Sequence, residues 1–322
     1  MNRPLVSLII CCYNRAEWLP LTLESALSQR YRPVEIIVLD DGSEDGTAEL
    51  MAGYGDRIRY HRQENQGIAA ARSNACRLAT GEFITFLDDD DLMPPDRIER
   101  LLGALRKHPS AVFAVGDLAY IDEKGEPTGK RWLPENHYGT EENILFEHGD
   151  EAVLWPRVAA LPHTTLFRRA DGERIGWFDG RYRFAAEDKD FYARLGRLGP
   201  VVYVPHVVSL YRQGHASLTR NAMRTWSSQL QLFENHLAAV EPDRAAFRRR
   251  LQWRILTTLK QMERYRAAEG SGNVPEDDRS RALALLPWQD RMKYYWFAGK
   301  MRLRRRPQGE SSMSGKENED GI

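Results

Sequence analysis

Through the first 120 residues the apolar positions alternate between short continuous runs and a period close to four. Residues 6–12 form an apolar run rich in branched side chains, which predicts a strand buried on both faces. Leu19, Leu23 and Leu27 then recur at every fourth position, as one helix stripe does. Residues 34–39 predict a second buried strand, ended by Asp40-Asp41-Gly42-Ser43. A short helix is expected over 47–54, a weaker strand over 58–61 and an Ala-rich helix over 67–80. Residues 83–87 predict another buried strand, ended by four aspartates at 88–91. Pro94-Pro95 opens a helix to about Lys107, and 111–115 reads as strand again. This rhythm predicts an α/β fold with a mainly parallel sheet and helices on both faces. Ligands of such sheets bind at the carboxyl ends of strands, where both aspartate clusters fall.

Residues 117–160 look irregular, and 164–218 mixed, with a helix over 188–198 and a strand over 201–204. Beyond about 220 the chain turns helical and basic, over 222–236, 244–269 and 288–305, with a linker at 271–275. The expected organisation is a domain over 1–219, a helical basic region over 220–306 and a polar, disordered tail over 307–322. The chain has 322 residues, 42% hydrophobic and 29% charged, which excludes wholesale disorder. The 46 basic and 46 acidic side chains sum to zero. That zero is a cancellation: residues 1–219 hold 26 basic and 33 acidic groups, residues 220–322 hold 20 and 13. Binding to nucleic acid along the chain is not expected from such a total. Only Cys11, Cys12 and Cys76 are present, an odd set without zinc or disulfide spacing, which fits a reducing, cytoplasmic setting. The apolar run near the N-terminus is short for a signal peptide, and no window is long enough to span a membrane.

Four segments offer chemistry. Asp40 and Asp41 end a strand, where a carboxylate can accept from a nucleobase or ribose; the same residues also suit a capped turn. The run at 88–91 concentrates repelling carboxylates, which a divalent cation relieves; a solvated acidic loop is the plainer alternative. Glu187 and Asp188 open a helix, as a general base can and as carboxylates favoured by the helix dipole also do. Tyr211-Arg212-Gln213-Gly214-His215 can close over phosphates, although an isolated histidine is more often structural.

Taken in order, VSLIICCYN, EIIVLDDGSEDGT, NQGIAAARSNA, ITFLDDDDLMPP, LFRR, GWFDGRYRFAAEDKDFYARL and VVSLYRQGHASL resemble the family 2 glycosyltransferases, over about residues 4–219. The resemblance implies a GT-A fold, a Rossmann-like nucleotide-diphospho-sugar transferase, here with a helical C-terminal addition. It implies a nucleotide site of Cys11, Tyr13, Asp40, Asp41, Arg72 and Asp89. Cys11 stands where the family often has Pro or Thr. Asp88 and Asp90 form the Asp-x-Asp motif, and Asp88, Asp90 and His215 are the implied contacts of Mn2+ or Mg2+. The run of four leaves the register of that motif open. Asp188 is the implied catalytic base, with Glu187 beside it. The implied reaction is inverting transfer of a sugar, of hexosyltransferase type, from a nucleotide-diphosphate sugar to an acceptor hydroxyl. Neither the Gln-x-x-Arg-Trp motif nor the membrane helices of processive members is present, so single additions are expected.

Residues 288–306 interleave seven basic groups with aromatics, which suits an anionic membrane surface or a helix packed on the rest of the chain. The first reading fits a glycan or lipid-linked acceptor in cell-surface glycan synthesis, on the inner face of the membrane. A nucleotidyltransferase is the enzymatic alternative, but a Gly-rich phosphate loop with Lys is missing near the first strand. A non-catalytic nucleotide-sugar-binding scaffold is the other; the Asp-x-Asp motif with Asp188 speaks against it.

Overall fold

The structure, a computed structural model, describes residues 3–133, 138, 140–155, 157–182, 185–214, 222–269 and 274–304. The chain divides into two compact units, Met1–Leu232 and Phe233–Ile322. The boundary falls within a helix, and the expected tail at 307–322 lies outside the described residues.

The first unit is built on strands β1 (Val6–Cys12), β2 (Val34–Asp40), β3 (Arg59–Arg62), β4 (Phe83–Phe86), β5 (Phe113–Ile121), β6 (Pro127–Arg131), β7 (Ile144–Phe146), β8 (Thr165–Arg168) and β9 (Val201–Arg212). They form one sheet in the order β3-β2-β1-β4-β8-β5-β9-β7, with β6 on β5. β1 runs parallel to β2 and β4, β2 to β3, and β5 to β9. β6, β7 and β8 are the antiparallel members. The expected α/β sheet is therefore present, and its antiparallel strands come from the segments that looked irregular or mixed.

Helices α1 (Leu19–Leu27), α2 (Thr47–Ala52), α3 (Ile68–Leu78), α4 (Arg97–Lys107), α5 (Gly149–Leu154), α6 (Arg169–Ile175) and α7 (Glu187–Gly196) surround the sheet. Every residue of β1 is buried. Val6, Leu8, Ile10 and Cys12 join one core with Leu19 and Leu23 of α1 and Ile98, Leu101 and Leu105 of α4. Ile9 and Cys11 alternate to the opposite face, where α3 packs on β1 and β2. Two-sided burial explains why the strands read as continuous apolar runs. β5 and β9 extend well past their expected ends. Pro205 and His206 interrupt the apolar run of β9, and irregular pairing beside Gly116 and Asp117 absorbs the interruption.

α8 (Ala222–Ala239) crosses the unit boundary; α9 (Ala245–Glu269), α10 (Glu276–Ala284) and α11 (Trp288–Arg304) complete the second unit. α9 buries Phe247, Leu251, Ile255, Leu259 and Met262. Tyr294 donates to Glu263 at 2.5 Å, tying α11 to α9. α10 has no apolar stripe of length; Glu276, Asp277 and Asp278 fill its first turn, where the helix dipole favours acids. No described helix is long and apolar enough to cross a membrane.

Candidate active site

The parallel register brings three strand ends together. Asp41 N–H donates to the Cys12 carbonyl at 2.9 Å, and Leu87 N–H to the Ile9 carbonyl at 2.9 Å. The loops after β1, β2 and β4 therefore emerge on one edge. Asp40 is fully buried and serves its own turn: it accepts from Ser43 N–H at 2.8 Å and from the Tyr60 hydroxyl at 2.7 Å. Gly42 follows at φ +86°, a conformation glycine adopts without penalty. Asp41 accepts from Gln63 Nε2 at 2.7 Å, Gln66 N–H at 3.0 Å and Gly67 N–H at 2.9 Å, fixing the entry to α3. A carboxylate offers about four lone-pair sites, so Asp41 keeps capacity for a ligand donor. Cys11 is buried, and burial pushes its thiol up to about 12, so it stays uncharged. The half-exposed Tyr13 directs its backbone N–H at Asp89 Oδ2, 3.4 Å away.

The aspartate run is divided by its neighbours. Burial acts to raise the Asp88 carboxyl, but the Arg72 guanidinium, with Nη2 at 3.0 Å, holds it below the ordinary range. Burial and the Asp90 charge push Asp89 well up. Arg15 sits beside both, 3.7 Å from Asp89 and 3.8 Å from Asp90. Asp91 is fully buried, and burial with repulsion from Asp88 and Asp90 raises it strongly. Its Oδ1 accepts from Arg212 N–H at 2.8 Å, while Oδ2 has no hydrogen-bond partner among the described residues.

His163 completes this cluster, and the sheet explains its position. β8 pairs antiparallel with β4, Ile84 facing Phe167. Extending that register by four residues puts His163 across from Asp88. Its Nδ1 lies 2.6 Å from Ser209 Oγ and 3.3 Å from Asp91 Oδ2, and its Nε2 lies 3.9 Å from Asp88 Oδ2. Burial pulls the ring down to about 4, so these are contacts of a neutral imidazole. One oxygen each from Asp88 and Asp91 and one ring nitrogen of His163 lie within 4.8 Å of one another. Hard carboxylate oxygens with one imidazole suit a divalent cation. The orphaned Asp91 oxygen and the raised carboxyls are what such an ion would relieve, so these residues fit one.

Below the cluster lies Arg97, fully buried, donating to Thr85 Oγ1 and the Phe86 carbonyl at 2.7 Å each. Burial lowers it to about 10, and its charge adds to the field that keeps Asp88 ionised. Arg212 differs from expectation. It lies buried at the end of β9, where Nε donates to the Asp90 carbonyl at 2.8 Å and Nη1 to those of Asp122 and Glu123 at 3.1 and 2.8 Å. Its hydrogen bonds lock the aspartate loop, while its buried Nη2 has no hydrogen-bond partner among the described residues. His215 lies outside the described residues.

Arg72 links this cluster to α7. It projects from α3, stands 5.8 Å over the Phe178 ring, and donates from Nη1 to Glu187 Oε1 at 2.7 Å. Phe178 in turn stacks on Phe191 of α7 at 4.2 Å. Burial works against the Arg72 charge, and Asp88 with Glu187 more than offsets it. Burial and the adjacent Asp188 raise Glu187 to about 7, against the pull of Arg72. Asp188 is only partly buried and accepts the Lys189 N–H at 2.6 Å, at the positive end of the helix. Sequence reading did not single out His163, Arg15 or Arg97. His163 falls in a 3-10 turn at Pro162–Thr164 with no motif of its own, and only the β4–β8 pairing discloses it.

Comparison with known proteins shows the family. The glycosyl transferase family 2 model matches residues 7–180. An uncharacterized glycosyltransferase of Rickettsia typhi is 32% identical over 234 residues, 72% of this chain and 70% of that protein. The crystal structure of S. aureus TarS 1-349 in complex with UDP-GlcNAc superposes with a TM-score of 0.65 at 15% identity, over 93% of this chain and 88% of that one. The mannosyltransferase PcManGT from Pyrobaculum calidifontis, in complex with GDP-Man and Mn2+, gives 0.56 at 20% identity, over 94% and 87%. The fold is GT-A, as the motifs implied. With its family model matched over more than half its length, the chain belongs to glycosyl transferase family 2 and is a glycosyltransferase.

Proposed function

We propose that this enzyme moves a single sugar, with inversion, from a nucleotide-diphosphate sugar to an acceptor hydroxyl in cell-surface glycan assembly. The observation that carries the proposal is the Arg72 bridge, one guanidinium joining Asp88 of the aspartate run to Glu187 beside the expected base. Donor and acceptor chemistry thereby meet at a single buried side chain. That the two similar structures hold UDP-GlcNAc and GDP-Man supports a nucleotide-sugar donor.

In this reading Cys11, Tyr13, Asp40 and Asp41 border the nucleotide, and Asp89 positions the Tyr13 backbone. Asp88 and Asp91 with His163, and with Asp90 and His215 as the motif implies, hold Mn2+ or Mg2+. When bound, that ion supplies positive charge for the departing diphosphate. Asp188 accepts the proton of the acceptor hydroxyl as its oxygen attacks the anomeric carbon. The carbon–oxygen bond to the diphosphate breaks in the same displacement, and the nucleoside diphosphate leaves with that electron pair. Glu187, held by Arg72, fixes the start of α7 and so the place of Asp188. Arg15, beside Asp89 and Asp90, can turn its charge to the phosphates. The acceptor is a glycan or a lipid-linked saccharide, which sets the enzyme on the cytoplasmic face of a membrane.

Asp188→Asn tests the reading. Transfer from a panel of UDP-, GDP- and dTDP-sugars with Mn2+ should fall by about 10²–10⁴-fold, the worth of a general base. Donor affinity by calorimetry should stay within about threefold, because the base acts in the transition state. Near-normal turnover would remove Asp188 from the base role.

A further inference from the structure

We propose that α11 docks the enzyme on an anionic lipid surface through a stripe of Trp288, Met292, Tyr295 and Trp296. The inference deepens the membrane-facing placement proposed above and rests on that reading. These side chains are 71, 60, 56 and 65% exposed. At 3.6 residues per turn they share an arc of roughly 100°. Tyr294 and Ala298 are buried and lie on a different side of the same helix, the side that holds it to its own unit. The stripe is therefore not the face that packs the helix. Three large aromatics and a methionine are left to water on one line, where a packed helix normally shows charge.

The chemistry of the stripe names its occupant. Trp and Tyr carry an apolar ring with a polar handle and settle at the headgroup level of bilayers. Cations flank them. Lys300 Nζ lies 3.8 Å from the centroid of the Trp296 ring, so charge and aromatic surface arrive together. Lys293 follows Met292 on the same flank and is paired to Asp290 at 2.8 Å. That aspartate is the only acid among residues 288–306, against seven basic groups. Lysine is depleted in protein–protein interfaces, whereas each basic residue near a negatively charged leaflet adds to attraction. The helix is not apolar enough to span, which leaves lying in the interface plane.

The test is co-sedimentation of the full-length chain with vesicles of phosphatidylcholine alone or mixed with phosphatidylglycerol. Binding is expected to the mixed vesicles, to weaken as salt rises, and to fall about tenfold or more in Trp288→Ser/Trp296→Ser. Lys293→Gln/Lys300→Gln should lose the preference for the anionic lipid. Equal pelleting of the tryptophan variant, or a wild-type chain that ignores mixed vesicles, overturns the proposal. A wild-type dimer that the tryptophan variant splits, without vesicle binding, also overturns it and makes the stripe a contact between copies. UDP-sugar binding in the same samples reads the glycosyl-transfer assignment separately, since the four substituted residues lie outside that site.

Discussion

Burial holds His163 neutral at ordinary pH, and a neutral imidazole offers a lone pair where an imidazolium offers only donors. With Nδ1 engaged by Ser209, Nε2 is left facing Asp88, the arrangement in which one ring nitrogen orients the other for a cation. His163→Ala should therefore weaken Mn2+ binding by about 10–100-fold, the range for losing a ligand or its orienting partner. Calorimetric titration of Mn2+ in the presence of a nucleoside diphosphate measures it, and unchanged affinity would take His163 out of the cation site. Among the four aspartates, sequence showed the concentration of charge but not its division. Asp88 is kept ionised by Arg72, while Asp91 is spent on the Arg212 backbone through one oxygen and orphaned at the other. Those differences come from α3 and β9, elements distant along the chain.

At the scale of elements, Glu35 shows how β2 is tied to its surroundings. It accepts from Ser7 Oγ of β1 at 2.6 Å and Thr80 N–H at 2.7 Å, and pairs with Arg59 of β3 at 2.5 Å. Burial opposes its charge, but these donors bring it down from 4.5 to about 2. Because the folded value is the lower one, its stabilisation is complete above about 4.5 and is lost as pH falls toward 2. Glu35→Ala should cost about 1–3 kcal/mol at neutral pH, by stranding partly buried donors. Its urea midpoint should also vary less than that of the wild type across this acid window. Parallel curves for the two proteins would reject the account. The strands β1, β2 and β4 and the helices α1 and α3 were legible because each declares its period locally. β8 was not, since the four residues Thr165–Arg168 carry too little pattern to show which partners they join. α10 escaped for a related reason: its helix rests on an acidic first turn more than on an apolar stripe.

Over the whole molecule, the zero net charge separates into an acidic portion over 1–219 and a basic one over 220–322. A ligand of the first unit should leave its mark there. Hydrogen exchange with a nucleoside diphosphate and Mn2+ is expected to slow amides of the loops after β1, β2 and β4 and to spare α9 and α11. At a hundredfold excess over Kd the stabilisation available is about 2.7 kcal/mol. Protection as strong in the second unit would contradict a site confined to the first. The antiparallel placement of β8 adds a consequence in time. β1 pairs with β2 across only 28 residues, but β4 joins β1 across 77 and Thr85 meets Thr165 across 80 residues of chain. Closing so long a loop is slow, because its entropy is lost before the contacts form. A single-residue slip of that pairing would also present Thr164 to Asp88 in place of the imidazole. Under the proposed function, the cation cluster after β4 would therefore assemble later than the β1–β2 edge that borders the nucleotide, because both of its strand pairings close long loops.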